Sequence, residues 1–278
     1  MIKISNSNIT CKKTLPAILK NHIATNPDKI AYIFLTKGQE SDKVTYQILY
    51  QNAIKIAAKL QQLNLQGERV LLLYPSSIDF IAAFMGCLYA GAIAVPSYLP
   101  ENPRIITRIK TIIADCKPKA ILSLNNDMMQ QISVPADNNN HIKENLTQDY
   151  HNINFINTSI LSDQIAHLYK PFDILSSDIA FLQYTSGSTS NPKGAMITHQ
   201  NIIHNLKVME KNYGLNNHSV TISWLPIHHD MGLVVGLLES LYLGSKTVFM
   251  SPNDFMKAPL LWLKAITKYH GTFSAAPN

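Results

Sequence analysis

From Phe80 to Val95, sixteen consecutive residues are apolar or small, and this run limits the folds open to the chain more than any other feature. A membrane-spanning helix needs about 20 such residues without a break. Gly91 and Pro96 divide the run, so it reads as parts of two buried elements and not as one span. Leu71-Leu72-Leu73-Tyr74-Pro75 before it has the character of a buried strand. Residues 77–89 then form a tightly packed helix rich in Ala and Gly, and Gly91 supplies the turn into a second strand. Such a strand–helix–strand unit predicts parallel pairing, because parallel strands need a crossover between them.

The alternation continues along the chain. Helical spacing is found at 46–62, 77–89, 104–115, 200–210, 232–242 and 259–269, and strand-type runs at 70–74, 92–95, 120–124, 179–183, 220–225 and 246–250. In the first helix Leu49, Ala53, Ile56, Ala57 and Leu60 share one face, and the Thr45 hydroxyl is placed to cap it. The expected class is α/β, with largely parallel sheets sandwiched by helices. Residues 1–13 are expected to be a tail, and the polar stretch 127–148, with Pro135-Ala136-Asp137-Asn138-Asn139-Asn140, a surface loop or insertion. No internal repeat is visible.

The chemistry concentrates at residues 183–196, Gln-Tyr-Thr-Ser-Gly-Ser-Thr-Ser-Asn-Pro-Lys-Gly-Ala-Met. Thr185, Ser186, Ser188, Thr189 and Ser190 carry hydroxyls around Gly187, and Lys193 and Gly194 follow. An apolar strand precedes the segment, and Ile202, Ile203, Leu206 and Met209 fall at helical spacing after it. A strand, a small-residue loop and a helix predict a phosphate grip of backbone N–H groups, hydroxyls and an ammonium. A Walker loop is excluded: counting from Gly187 puts Pro192 where the second Gly belongs and Gly194 where the terminal Ser or Thr belongs. A flexible Ser/Gly linker fits poorly between two periodic elements.

These residues resemble the signature loop Y-T-S-G-[ST]-T-G-x-P-K-G of the adenylate-forming superfamily, which includes acyl-CoA synthetases, luciferases and peptide-synthetase adenylation domains. Ser190 stands where that pattern has Gly. The resemblance implies that Thr185, Ser186, Gly187, Ser188, Thr189 and Gly194 hold the phosphates of ATP, with Lys193 near the β- and γ-phosphates.

A second segment agrees. Ser223-Trp224-Leu225-Pro226-Ile227-His228-His229-Asp230-Met231-Gly232-Leu233 contains a His-His-Asp run that, alone, suits either a metal site or a structural turn. Adjacent side chains diverge, which disfavours chelation of one ion by His228 and His229. The segment is similar to the family pattern L-P-x-x-H-D-M-G-L. That likeness implies that His229, Asp230, Met231 and Gly232 border the acyl-binding channel, with His229 where the carboxylate meets the α-phosphate and Gly232 opening the next helix. The 71–96 segment and the closing stretch from Met250 to Asn278 resemble the fatty acyl-AMP ligase branch, so the likeness extends from Thr14 onward.

By that resemblance the reaction is ATP-dependent activation of a fatty acid to acyl-adenylate, with Mg²⁺ and an acyl carrier protein or polyketide synthase as acyl acceptor. Superfamily members continue beyond the point matching Asn278 into an adenine-stacking segment, an acidic magnesium ligand and a small lid domain with a catalytic Lys. This chain is therefore expected to be an incomplete adenylation domain, inactive or nearly so by itself. A fragment of an acyl-CoA synthetase and a non-enzymatic remnant that binds nucleotide or acyl chain weakly fit the same residues.

Composition suits an enzyme with a sizeable core: 46% of residues are hydrophobic and 15% charged. The net charge of +6 comes mostly from scattered Lys, with Arg only at 69, 104 and 108. That is a solvated surface mildly favourable to anionic ATP, and no basic block interleaved with aromatics suggests nucleic acid. Cys11, Cys87 and Cys116 are odd in number and form no C-x-x-C, and the first residues lack an apolar leader. Both features point to a reducing cytoplasm.

Overall fold

Successive residues of each central strand face two different cores. In β1 (Ile30–Thr36), Tyr32 and Phe34 turn to one apolar cluster and Ile33 and Leu35 to another. In β3 (Arg69–Leu73), Val70 and Leu72 face that same first cluster, while Leu71 and Leu73 face a third. The alternation is the two-residue period of a strand, and apolar residues at every position mean both faces are covered. The computed structural model describes residues 14–127, 132, 152–185 and 192–276. The expected tail 1–13 lies outside the described residues, as does the expected loop 127–148 apart from Asp127 and the buried Ile132.

Two sheets result. The larger has the order β6-β5-β3-β4-β7-β8, built from β4 (Ile93–Pro96), β5 (Ala120–Ser123), β6 (Asn154–Asn157), β7 (Ile179–Tyr184) and β8 (Gly194–Thr198) around β3. Every pairing in it is parallel except β7 with β8. The smaller has the order β2-β1-β10-β9, with β2 (Gln39–Thr45), β9 (Val220–Ser223) and β10 (Lys246–Met250). There β1, β10 and β9 are parallel and β2 is antiparallel.

Between the sheets pack α1 (Leu15–Thr25), α2 (Tyr46–Gln62) and α3 (Ile78–Tyr89). Every residue of α3 except Asp79 is buried, which accounts for its unbroken apolar sequence. The Thr45 and Ser77 hydroxyls accept from Ile48 N and Phe80 N and cap α2 and α3. Gly91, at φ +66°, turns the chain from α3 into β4. On the far face of the larger sheet, α4 (Pro103–Cys116) covers Leu71, Val95 and Ile121 with Ile109, Ile112 and Ile113. The smaller sheet is covered on its far face by α8 (Leu260–Tyr269) and by Phe255 of α7 (Pro252–Lys257). The architecture is a layered α/β sandwich, and among the described residues no helix is long and apolar enough to cross a membrane.

Two expectations need correction. Residues 232–242 are not one α-helix: Gly232–Leu238 is a π-turn segment, and only α6 (Glu239–Leu243) is α-helical. The loop after β7 does not run directly into a helix. It joins β7 to the antiparallel strand β8, and only then does α5 (His199–Tyr213) begin, closed by a Thr198–Asn201 capping box. Phosphate held by the loop would thus lie at the mouth of a hairpin and not on the first turn of α5. The edge position of β8 leaves Ala195 and Met196 exposed, so its five residues carry no strand-like burial pattern.

Candidate functional site

The carboxyl ends of β3, β4 and β7 lie side by side, where open α/β sheets place their ligands. β7 ends at Tyr184, and Thr185 begins the hairpin. The base of that hairpin is closed by Thr185 N donating to Lys193 O at 3.4 Å. Both residues are exposed. Ser186, Gly187, Ser188 and Thr189, expected to hold phosphate, lie outside the described residues. Gly194 has a structural reason to be Gly: a Cβ there would stand 2.8 Å from Cζ of the Tyr184 ring. The Tyr184 hydroxyl donates to the Asp115 carboxylate of α4.

The second segment folds into the turn that follows β9. His229 N donates to Pro226 O at 3.1 Å, and Leu233 N to His229 O at 2.7 Å. The His229 Nδ1 lies 2.6 Å from Asp230 Oδ1, which also accepts from Met231 N at 2.6 Å. Both side chains are about half exposed, at 49% and 57%. Gly232 packs directly beneath Pro226, and a Cβ there would fall on the Pro226 carbonyl, 2.6 Å from its carbon. The π-turn that begins here is a form often found beside functional sites.

A circuit of side chains joins turn and hairpin. Gln183 Nε2 donates to His228 O at 3.3 Å, linking β7 of one sheet to the turn after β9 of the other. The His228 ring meets Tyr98, just beyond β4, edge-on at 4.7 Å. The Arg108 guanidinium of α4 lies over the Tyr98 ring at 4.8 Å, and its NH2 group donates to Thr185 O at 3.2 Å. Ile227 N also donates to Ser76 Oγ, beyond β3, at 3.4 Å. Burial, and then the neighbouring charges of His229 and Arg108, push the His228 imidazole down to about 4, so its ring is neutral near pH 7 and packs as an aromatic.

Of the residues named from sequence, Thr185 and Lys193 are brought together, and His229, Asp230, Met231 and Gly232 form one turn. Tyr98, Arg108, Gln183 and His228 were not singled out as site residues. Only the rarity of Arg in a Lys-rich chain hinted at Arg108. Among the described residues no three His, Cys, Asp or Glu side chains converge as a metal cage.

The sequence model of the AMP-binding enzyme family matches residues 19–278. The chain is 36% identical over 252 residues to the medium-chain-fatty-acid–[acyl-carrier-protein] ligase JamA of Moorena producens, covering 89% of this chain and 41% of that protein. It is 31% identical over 276 residues to the long-chain-fatty-acid–AMP ligase FadD26 of Mycobacterium tuberculosis, covering 96% and 46%. A solved fatty acyl-adenylate ligase from L. pneumophila, in complex with acyl adenylate and pyrophosphate, superposes with a TM-score of 0.83 at 36% identity, covering 95% of this chain and 44% of that one. The chain thus spans less than half the length of these relatives. With a match over nearly its whole length, the chain belongs to the AMP-binding enzyme family.

Proposed function

We propose that residues 14–278 are the nucleotide- and acid-binding portion of a fatty acyl-AMP ligase. The observation that carries this reading is the circuit Thr185–Arg108–Tyr98–His228–Gln183, which ties the hydroxyl-rich hairpin to the His229 turn. A phosphate grip and an acid-binding turn held in one rigid frame suit a reaction between a nucleotide and a carboxylate.

In that reaction a fatty-acid carboxylate oxygen attacks the α-phosphorus of ATP. The bond from that phosphorus to the bridging oxygen breaks, and pyrophosphate leaves with the electron pair. No redox step and no net proton transfer are required. Thr185, with Ser186, Gly187, Ser188, Thr189 and Gly194, would hold the phosphates, and Lys193 would neutralise charge that grows on the leaving group. His229, held by Asp230, would orient the carboxylate against the α-phosphate, while Met231 and Gly232 border the acyl chain. Mg²⁺ would supply further charge neutralisation on the phosphates. The acyl acceptor would be a carrier protein or a polyketide synthase, and the buried thiols of Cys87 and Cys116 suit the reducing cytoplasm.

Thermal melting tests the reading, because a ligand that binds only the folded state raises the melting temperature. ATP should stabilise the chain and a fatty acid should stabilise it further, while an amino acid should not. An unchanged melting temperature with ATP and fatty acid together contradicts the proposal.

A further inference from the structure

Arg108 stands apart from the other cations of the chain. It reaches from α4 into the centre of the candidate site, where its NH2 group donates to the carbonyl of Thr185, the residue that opens the hairpin. Its Nε is buried with no hydrogen-bond partner, and the Tyr98 ring covers one side of the guanidinium. Among the described residues no carboxylate lies within ion-pair distance of Arg108 or of Lys193. Asp115, the nearest acidic residue along α4, is engaged by the Tyr184 hydroxyl.

A partly desolvated guanidinium without a counter-ion is costly unless an anion visits it. The ring below it offsets only part of that cost. Thr185 joins Arg108 and Lys193 at the hairpin's base, its N–H donating to the Lys193 carbonyl and its own carbonyl accepting from Arg108. Two uncompensated cations suit a ligand with several negative charges better than they suit a single carboxylate. The guanidinium keeps further N–H donors in a planar fork that matches phosphate oxygens.

We propose that Arg108 is a specificity-determining residue of this site: together with Lys193 it meets the β,γ end of a nucleoside triphosphate and sets the preference for triphosphate over monophosphate. The inference rests on the nucleotide-binding reading above and adds a residue and a role to it. It also explains why α4 contacts two successive residues, Tyr184 through Asp115 and Thr185 through Arg108. The helix presents the cation and fixes the strand end that the cation serves.

The test is calorimetric titration of the chain with ATP, with AMP and with a fatty acid, for the parent protein, R108Q and R108K. In R108Q the affinity for ATP is expected to fall about ten-fold or more, with AMP and fatty acid changed less than about two-fold. R108K keeps the charge without the planar fork and is expected to lose ATP affinity by about three-fold, again with AMP unchanged. If R108Q does not fold, R108K decides by the same criterion. A merely structural role through Thr185 would weaken ATP and AMP equally and would overturn the assignment. So would an unchanged ATP affinity, or a loss confined to the fatty acid. A parent protein that binds neither nucleotide overturns the nucleotide-binding reading and this inference together, whereas a variant that binds ATP like the parent removes Arg108 alone.

Discussion

The ring of Tyr184 fills the space beside Gly194, and its hydroxyl donates to the Asp115 carboxylate. One aromatic residue at the end of β7 thereby sets both the spacing of the hairpin's two strands and the position of α4 beneath them. Burial, reinforced by the Asp115 charge, holds the phenol well above its ordinary range, so it stays a donor at any working pH.

Gly194→Ala should therefore disturb the hairpin more than a surface substitution would. The new methyl meets the Tyr184 ring at 2.8 Å from Cζ and 3.1 Å from Cε2, and the ring is pinned at its far end. The expected loss is about 2–3 kcal/mol, measured by denaturant unfolding. Tyr184→Phe keeps the ring and loses the bond to an exposed carboxylate, so about 1 kcal/mol is expected. Equal effects of the two substitutions would mean that the ring does not set the spacing.

Gly232→Ala is the harsher change. Its methyl would fall on backbone, the Pro226 carbonyl, and no side-chain rotation can relieve that. The turn or the π-segment must shift, and a loss above about 3 kcal/mol or failure to accumulate folded protein is expected. A Gly232→Ala protein with the parent's unfolding midpoint would show that the turn has room for a methyl group beside Pro226.

Glu239 gives the pH dependence. It is buried between the sheets, accepts from the Thr221 hydroxyl at 3.0 Å, and leaves its Oε1 without a partner. Thr221, Thr247 and Tyr32 are register neighbours on three adjacent strands beneath it. Burial pushes the carboxyl up to about 7, against the Thr221 hydrogen bond. The folded state thus holds this proton more tightly than the unfolded chain. Its contribution is complete below the ordinary carboxyl range and is lost as pH rises through about 7.

His199 and His228, both pushed down to about 4 by burial, act in the opposite sense, with stability present above the ordinary imidazole range and lost as pH falls toward 4. The total pH profile is consequently muted, and the difference between Glu239→Gln and the parent isolates one group. The variant should gain on the order of 2–3 kcal/mol relative to the parent between about pH 4.5 and about pH 8, with phenols Tyr32 and Tyr46 as its titratable neighbours. Parallel stability curves would contradict a raised Glu239.

The elements legible in the sequence are those whose own residues carry the signal. The helix Tyr46–Gln62 has an apolar face and a capping Thr45, and it is found with those bounds. Of the elements absent from the expected set, α1 and the apolar strand β1 carry their own signal, whereas β2 and β8 depend on neighbours. In β2 only Val44 is buried, and its Gln-Glu-Ser-Asp-Lys start is strand only because it pairs with β1. β8 is an edge strand with little burial, so its residues carry no strand signal between the loop and α5. At the site, Thr185, Lys193 and His229 stand in recognisable motifs. Arg108 and His228 lie far from each other in sequence, and the fold brings both into contact with the Tyr98 ring.

The hairpin mouth and the His229 turn are proposed to form one site for an acyl-adenylate. Calorimetric titration with lauroyl-sulfamoyl-adenosine, a stable acyl-adenylate mimic, addresses it most directly. Saturable one-to-one binding that ATP displaces is expected, weakened by about ten-fold or more in His229→Ala with the fold intact. No binding, or binding that neither ATP nor His229→Ala alters, would contradict it.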